Sequence, residues 1–288
     1  MMNRMDTSPK VFVIVLNKDG KECLPACLEG IFHLSYSNLE VVVVDNASRD
    51  GSLEDAKARF SRAHFILNSE NLGFAAGMNV GIRYAMAQGA QYVWLLNNDA
   101  VPGRDALAVL ILVAENAKAP ALISPLVLDS FGKTWFAAGR IDYLRMRAVH
   151  VAPEANGNEP YETEYLSGCA LFLPRKGVEQ VGLLDEKYFL YYEDADFSLR
   201  ACKAGFKLLV APKSVVVHSE RSESGSEKVY WLVRSGIRFF RLHTPIVLRP
   251  WVMSYLMLRK VKNALDVYRG KSGADRIARA YADSARED

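Results

Sequence analysis

Polar side chains that could bind a charged ligand follow four apolar runs in the first hundred residues. The clearest case is VWLLNNDAVPG, residues 93–103, in which two amides and one carboxylate stand between an apolar run and a Pro-Gly turn. The polar residues that follow the four runs are Asn17, Asp45, Asn46, Asn68, Asn97, Asn98 and Asp99. Any one of them alone is better explained as a turn residue or helix cap. Four runs that end in this way favour a binding site.

Asp99 and His218 are candidate metal ligands. A carboxylate at a turn is a hard oxygen ligand, suited to Mg²⁺ or Mn²⁺ that bridges diphosphate oxygens. His218 ends the apolar stretch VVVH, and an imidazole suits Mn²⁺ better than Mg²⁺. A single histidine at a strand end is more often structural, so the prediction depends on a neighbouring strand that brings it to Asp99.

The stretch YYEDADFSLR contains three acids, Glu193, Asp194 and Asp196, at the start of a predicted helix. Acids in a first helical turn are favoured by the helix dipole and by unpaired N–H groups, which accounts for one of the three. Three acids that follow the aromatic YFLYY exceed what a cap requires. A carboxylate held beside a sugar could take the proton of an acceptor hydroxyl as a general base.

Alternation of strand and helix patterns predicts the element that positions these groups, an open α/β sheet. Apolar runs at residues 11–16, 41–44, 65–67 and 92–96 are read as strands separated by helix-length segments, hence as parallel strands with right-handed crossovers. Ligands bind such sheets at the carboxyl ends of the strands. The polar residues are therefore expected along one rim.

The second half of the sequence is less regular. We predict strands near 121–125, 170–173, 207–210 and 215–218, and helices at 176–181 and 193–204. Residues 126–165 have weak periodicity and many Gly, Pro and polar residues, which indicates a hairpin or an excursion over the site.

A sugar nucleotide would use the predicted rim well. Asp45 can accept a hydrogen bond from a base N–H or a ribose hydroxyl, while Asn46 and Asn71 offer amides on flanking loops. Gly73 and Gly77 in NLGFAAGMN allow close approach of a ligand. The chain has neither G-x-G-x-x-G nor G-x-x-x-x-G-K-[ST], which lowers the odds of a dehydrogenase or a P-loop enzyme.

Bulk properties exclude several classes. The net charge of +3 is too small to indicate nucleic-acid binding, and the basic residues gather only after residue 230. Four scattered cysteines without metal spacing indicate reduced thiols in a cytosolic protein. The first residues contain no apolar signal region, so we expect no secretion signal. Arg249 and Pro250 interrupt PIVLRPWVMSYLMLRKV, so we expect no membrane-spanning helix.

Taken in order, seven motifs resemble family 2 glycosyltransferases. They are VFVIVLNKDG, VVVVDNASRDGS, NLGFAAGMNVGI, LLNNDA, SGCALFLPR, VGLLDEKYFLYYEDADFSLRACKAG and SVVVHSE. The likeness covers about residues 10–240 and is greatest to the bacterial rhamnosyltransferase-like branch that builds surface polysaccharides. It implies a GT-A fold, a Rossmann-like mixed sheet flanked by helices, and inverting transfer of a sugar, with rhamnose favoured, from a nucleoside diphosphate donor.

The resemblance also implies residue roles. Asp45 would contact the nucleotide base or ribose, and Asn17 and the NLGFAAG loop would line the donor pocket. Asp99 would be the last acid of the family's Asp-x-Asp motif and a metal ligand, with His218 as the metal-binding histidine. Asp194 would be the catalytic base, with Glu193 beside it. The departure is Asn97, where many relatives carry the first acid of the motif.

These inferences give a domain plan. Residues 1–240 are expected to form the GT-A catalytic domain, with a donor-binding half at about 10–125 and an acceptor half at about 126–240. Residues 241–288 are expected to form a helical C-terminal extension, frayed over its last fifteen residues. Within the segment SERSESGSEKVYWLVRSGIRFF, residues 219–240, a lid over the donor is expected.

The partners are expected to be a dTDP-, UDP- or GDP-linked sugar and a glycan or lipid-linked saccharide acceptor. A helix at 251–268 mixes apolar and basic residues, and two alternatives stay open for it. It packs against the core or a partner subunit in a homodimer, or it lies on an anionic membrane, which would place the protein on the cytoplasmic face of the inner membrane. The competing functions are a nucleotidyltransferase and a non-catalytic sugar-nucleotide binding module.

Overall fold

In a computed structural model, residues 8–152, 157–219 and 226–286 are described. The strands of the first half are β1 (Val11–Asn17), β2 (Leu39–Asp45), β3 (His64–Leu67), β4 (Tyr92–Asn97), β5 (Ala100–Pro102), β6 (Ala121–Asp129), β7 (Thr134–Phe136) and β8 (Ala138–Asp142). The others are β9 (Arg147–Val151), β10 (Tyr161–Glu162), β11 (Ala170–Pro174) and β12 (Lys207–His218). The helices are α1 (Leu24–Phe32), α2 (Ser52–Arg59), α3 (Gly73–Ala87), α4 (Ala106–Asn116), α5 (Arg175–Val181), α6 (Glu193–Lys203), α7 (Ser226–His243), α8 (Arg249–Tyr268) and α9 (Ala274–Ser284).

The main sheet is mixed. Along its principal path the strand order is β10-β12-β6-β11-β4-β1-β2-β3, while β5 pairs with β12 and β7 with β6. Strands β3, β2, β1 and β4 are parallel, β11 runs against both β4 and β6, and β12 is parallel to β6. Six strands therefore point their carboxyl ends toward one rim, as the α/β pattern predicts.

The strand cores are apolar on both faces because helices cover both sides of the sheet. The runs at 11–15, 41–44 and 93–96 are fully buried, which is typical of strands in the middle of an α/β sheet. Helix α3 packs on β1 and β2 through small residues. A Cβ at Gly81 would lie 2.4 Å from Ile14 Cγ2, so glycine permits this close packing.

Three predictions about elements are corrected. The strands predicted at 207–210 and 215–218 are one strand, β12, with an irregularity between Ala211 and Val215 that Pro212 accommodates. The three-residue strand β5, which follows the Asp99 turn, was not predicted. Most of the segment predicted to be frayed is ordered, because Ala274–Ser284 forms α9, whose Ala280 and Tyr281 are buried.

The irregular stretch after β6 contains a hairpin of β8 and β9, one of the two structures predicted for it. The predicted lid lies partly outside the described residues, at 220–225, and continues into α7. Helix α7 packs against α9, and Tyr230 on α7 donates a hydrogen bond of 2.8 Å to Asp283 on α9. Among the helices of the described ranges, none is both long enough and apolar enough to cross a membrane.

Candidate active site

The carboxyl rim of the sheet borders a cavity of about 460 Å³, within the size range of small-molecule sites. The parallel register sets Asn17 beside Asp45 and Leu16 beside Asn97, so the ends of β1, β2 and β4 are level. The predicted site residues that line the cavity are Asn46, Asn71, Gly73, Asn97, Asn98, Asp99, Glu193, Asp194 and His218.

Asn17 and Asp45 lie beneath the lining. The Nδ2 atom of Asn17 donates to Asp45 Oδ1 at 2.8 Å and is also within hydrogen-bond distance of the Ser52 hydroxyl, at 2.9 Å. Asp45 Oδ2 accepts the backbone N–H of Ser48 at 2.9 Å. Both side chains are buried and do not line the cavity. The structure thus gives them a role in holding the rim, and the donor contact stays a prediction.

The amide of Asn98 is held by this buried layer. Its Nδ2 donates to Asn17 Oδ1 at 3.0 Å, which ties β4 to β1. Gly20 leaves the space for this bond, since a Cβ there would lie 2.3 Å from Asn17 Oδ1 and 2.4 Å from Asn98 Nδ2. Sequence reasoning did not single out Gly20.

The loop before α3 is fixed by a second amide group. Asn46 Nδ2 donates to the carbonyl of Gly73 at 2.9 Å, and Asn71 Oδ1 accepts the N–H of Gly73 at 3.0 Å. Gly73 has a φ of +81°, and a Cβ on it would lie 2.5 Å from the carbonyl oxygen of Phe189. Glycine is therefore required here both for the backbone conformation and for the close approach to the loop before α6.

Asp99 and His218 are brought together by the pairing of β5 with β12. His218 lies opposite Ala100 in that antiparallel pair, and the N–H of Ser219 donates to the carbonyl of Asp99 at 2.9 Å. Asp99 Oδ1 lies 3.0 Å from His218 Nε2. The pairing supplies the neighbouring strand that the metal prediction requires.

The contact between these two side chains is close, but it leaves buried polar atoms of both without a hydrogen bond to the described residues. Asp99 Oδ1 and His218 Nδ1 are buried and have no hydrogen-bond partner among the described residues, so the 3.0 Å approach lacks hydrogen-bond geometry. The ring of Trp135 packs edge-on against His218 with centroids 4.5 Å apart. A buried polar atom without a partner is costly in a folded protein unless a ligand satisfies it.

A divalent cation fits this pair. Carboxylate oxygen and imidazole nitrogen together suit Mn²⁺, and both atoms already converge on one point. No group of three or more His, Cys, Asp or Glu side chains that could hold a metal is present in residues 8–152, 157–219 and 226–286. The protein therefore offers two ligands, and the remaining positions would be filled by donor phosphate and water.

The first two acids of α6 line the same cavity. Asp194 Oδ2 accepts the N–H of Gly168 at 2.9 Å, and its Oδ1 accepts the N–H of Ala195 at 2.7 Å. Glu193 is buried, and within the described chain its Oε2 has no hydrogen-bond partner.

Burial sets the protonation behaviour of this pair. Desolvation raises the pKa of Asp194 above its usual value, although the two backbone N–H donors oppose the shift. Desolvation, with the nearby charge of Asp194, raises the pKa of Glu193 well above its usual value. The N–H groups of Gly168 and Ala195 donate to Asp194, so within the pair they favour the charged form of Asp194.

Asp196, the third acid, is structural. Its Oδ1 lies 2.7 Å from His243 Nε2 on α7, and its Oδ2 accepts a hydrogen bond of 2.8 Å from Arg200 Nε. Burial alone would raise the pKa of Asp196, but the hydrogen bonds from His243 and Arg200 with the charge of Arg200 lower it. This is the acid that needs no catalytic explanation.

Aromatic residues complete the cavity wall. Phe189 stacks on Trp231 of α7 with centroids 4.4 Å apart, and both line the cavity together with Tyr191. Tyr191 and Tyr192 both have a φ of +69°, a left-handed conformation that is rare outside glycine. The motif YFLYY was the sequence signal for this wall, whereas Trp135 and Trp231 had none.

The fold and the rim define a glycosyltransferase of the GT-A fold. The chain belongs to glycosyl transferase family 2, whose family model matches residues 10–182. The resemblance inferred from the motifs is thereby confirmed, as is the prediction of a glycosyltransferase. The competing nucleotidyltransferase is not supported.

Two curated proteins to which the chain is similar are rhamnosyltransferases by name. The chain is 25% identical over 231 residues to a dTDP-rhamnosyl transferase, RfbF, of Shigella flexneri, covering 76% of each chain. It is 26% identical over 212 residues to an N-acetylglucosaminyl-diphospho-decaprenol L-rhamnosyltransferase of Mycobacterium tuberculosis, covering 66% of this chain and 69% of that protein.

Solved structures share the fold. GalNAc-T7 with UDP, GalNAc and Mn²⁺ has a TM-score of 0.65 at 19% identity; the match covers 80% of this chain and 48% of GalNAc-T7, so this chain spans about half of that protein. The mannosyltransferase PcManGT of Pyrobaculum calidifontis, in complex with GDP-Man and Mn²⁺, has a TM-score of 0.59 at 18% identity. The match covers 98% of this chain and 79% of PcManGT.

Proposed function

We propose that the protein is a metal-dependent, inverting glycosyltransferase that moves a sugar from a nucleoside diphosphate to a glycan or lipid-linked saccharide in surface polysaccharide biosynthesis. Rhamnose from a dTDP donor is the first candidate, because RfbF and the mycobacterial relative both transfer rhamnose by name. The proposed place of action is the cytoplasmic face of the inner membrane, where a nucleotide sugar and a lipid-linked acceptor meet.

One observation carries this proposal. A single cavity is lined both by the Asp99 and His218 pair, whose buried Oδ1 and Nδ1 atoms have no hydrogen-bond partner among the described residues, and by Asp194, a desolvated carboxylate. The pair suits a cation with a diphosphate, and Asp194 suits an acceptor hydroxyl. The presence of both kinds of group in one cavity supports a displacement reaction.

In the proposed reaction, Asp194 takes the proton of the acceptor hydroxyl. The oxygen forms a bond to the anomeric carbon as the bond from that carbon to the diphosphate breaks, so attack from the opposite face inverts the configuration. A raised pKa makes Asp194 a stronger base than an exposed carboxylate. The Gly168 and Ala195 N–H groups hold the carboxylate in place throughout.

Asp99 and His218 would hold the metal, and Asn71 and Asn98 would donate to the nucleotide or sugar. A bound Mn²⁺ or Mg²⁺ supplies positive charge that stabilises the leaving diphosphate. The aromatic wall of Phe189, Tyr191 and Trp231 excludes water, which protects the activated sugar from hydrolysis.

The test is transfer with purified protein, Mn²⁺ and a panel of dTDP-, UDP- and GDP-sugars. Asp194→Asn is expected to bind the donor as wild type does and to lose about 10²- to 10⁴-fold in turnover, since a general base contributes that much. Glu162→Gln, which changes an exposed carboxylate, is the matched control and should keep full activity. Normal turnover in Asp194→Asn would refute the assignment, and no turnover of any donor by the wild type would favour a binding module.

A further inference from the structure

Helix α8 exposes an apolar face within the described part of the chain. Ten of the sixteen exposed large hydrophobic residues lie between Leu242 and Tyr268. Met257 is 71% exposed and Tyr268 is 90% exposed. The members on α8, which we call the α8 stripe, are Trp251, Met253, Met257, Leu258, Val261, Leu265 and Tyr268.

The stripe runs along one side of the helix. At about 100° of rotation per residue, Met253, Met257, Val261 and Leu265 follow each other at intervals of four along one face. The buried residues Val252, Leu256 and Asn263 lie on the opposite face. The exposed apolar residues therefore form one continuous face of α8.

Packing fixes the direction in which the stripe faces. Helix α8 packs on α9, and Asn263 Nδ2 donates to the carbonyl of Ala274 at 3.1 Å. At the start of α8, Trp251 Nε1 donates to the carbonyl of Leu144 at 3.0 Å in the loop between β8 and β9. Both ends of the helix are held, so the apolar side cannot turn inward.

Basic residues border the stripe on both sides. By helical position, Arg249 and Lys260 lie along one border and Lys262 and Arg269 along the other. Residues 241–272 contain seven Lys and Arg and one acid, Asp266. Asp266 is paired with Lys271 at 2.6 Å and lies off the stripe. An apolar stripe between two basic borders is typical of a helix that lies in the interface of an anionic bilayer.

A second copy of the chain fits this surface less well. In a two-fold symmetric contact the same patch meets itself, so the basic borders would face basic borders. Anionic lipid headgroups neutralise those borders while the stripe enters the acyl region. We propose that the α8 stripe and its basic borders dock the protein on an anionic lipid bilayer.

Helix α8 adjoins the proposed acceptor side of the site through its buried face, opposite the α8 stripe. Leu256 and Arg259 of α8 line a second cavity of about 350 Å³, which is also lined by Tyr192. Tyr192 directly precedes Glu193 and the proposed base Asp194. Docking through the α8 stripe would therefore hold the loop of the proposed base behind the helix, roughly 10 Å from the bilayer. This consequence rests on the proposed function, whereas the docking itself does not.

The experiment is flotation of the full-length protein, without donor, with vesicles of pure phosphatidylcholine or of phosphatidylcholine with phosphatidylglycerol. We expect binding at least tenfold tighter to the anionic vesicles, weakened by salt. Met257→Glu is expected to weaken it at least tenfold. Lys260→Glu with Lys262→Glu should weaken it at least about twentyfold, since each basic residue near an anionic surface contributes about fivefold.

Phe131→Glu is the matched control, because Phe131 is 87% exposed but lies in the turn after β6. It is expected to float as wild type does, and thermal unfolding of each variant verifies the fold. Equal flotation of Met257→Glu and wild type would overturn the proposal. So would a concentration-dependent dimer in light scattering that Met257→Glu abolishes, because the stripe would then bind a second copy. Vesicle binding without transfer would leave the docking standing and refute only the proposed function.

Discussion

Three acids within one turn of α6 have three different environments. Asp194 is held by two backbone N–H groups, Glu193 Oε2 is buried without a partner in the described residues, and Asp196 is paired with Arg200 and His243. The sequence indicated that a helix cap explains one of the three. Asp196 needs no catalytic role, but the reason is its ion pairs with Arg200 and His243 and not a helix cap. Sequence spacing could not distinguish the three acids, because Asp196 is paired with His243 on α7 and Asp194 accepts a hydrogen bond from Gly168 in the loop before β11.

Glu193→Gln is expected to stabilise the protein at neutral and higher pH. Because the pKa of Glu193 is raised in the folded state, the unfolded chain loses its proton first as the pH rises, and wild-type stability falls between the two pKa values. A glutamine side chain does not ionise in this pH range, so the variant does not lose stability in this way. The melting temperature of the variant relative to wild type should therefore increase from pH 4 to pH 8.

Thermal unfolding in buffers across that range measures the difference, with Glu162→Gln as an exposed control whose relative melting temperature should not depend on pH in this way. A difference that is constant with pH would show that Glu193 is not the origin of the effect.

The rim carries Asp99 but has Asn97 where many relatives are expected to carry an acid. We therefore expect weak binding of Mn²⁺ alone and binding at least tenfold tighter when a nucleoside diphosphate is present, since its phosphates supply the missing negative ligands. Asp99→Ala should abolish Mn²⁺ binding both with and without the nucleoside diphosphate. Asn97→Asp should tighten the binding of Mn²⁺ alone. Calorimetric titration measures these affinities, and equal values with and without nucleotide would contradict the role given to Asn97.

At the scale of elements, the catalytic helix is positioned by its contacts to the rest of the fold. Arg200 donates to the carbonyls of Val181 and Leu183 at 2.9 Å each and to Asp196 at 2.8 Å, while Asp196 also meets His243 of α7. Arg200 thus fixes helix α6 to the end of α5, and Asp196 fixes it to α7. The position of Asp194, the proposed base, depends on this anchoring two residues away.

Asp196→Asn is expected to destabilise the protein by about 1–3 kcal/mol at neutral pH, because a buried charged hydrogen-bond group is lost. The pKa of Asp196 is lowered in the folded state, so its contribution is present above the ordinary pKa of an aspartate and is lost as the pH falls through the lowered value. The penalty should therefore shrink below about pH 4. Urea unfolding measures it, and a penalty that is equal at pH 3 and pH 7 would contradict the ion-pair explanation.

The regular strands were predictable because buried β-branched runs have a strong local signal. The runs at 11–16, 41–44 and 92–96 became β1, β2 and β4 with ends shifted by no more than two residues. Strand β5 was not predictable, since it has three residues and includes Pro102. Yet its pairing with β12 is what brings Asp99 to His218, so the sequence could propose these two residues as metal ligands but could not show that they meet.

At the scale of the whole molecule, α7 connects the catalytic sheet to the C-terminal helices. It runs across the domain boundary that we placed after residue 240 and ends at His243. Ser235 donates to the carbonyl of Leu190 at 2.7 Å, and Arg238 forms an ion pair with Asp185 at 2.7 Å. The boundary was placed from the extent of the motif resemblance, about residues 10–240, and contacts between distant segments such as these have no signal in local sequence.

The paired left-handed conformations of Tyr191 and Tyr192 bear on how this enzyme would respond to engineering. Each costs on the order of 1–2 kcal/mol that glycine would avoid. A selection for heat resistance alone would favour glycine at Tyr191, whose ring lines the cavity, but not at Tyr192, whose ring packs on Phe239 in the core. Stability and the proposed activity therefore make opposing demands on Tyr191 only, and a library scored for both should retain both aromatic rings.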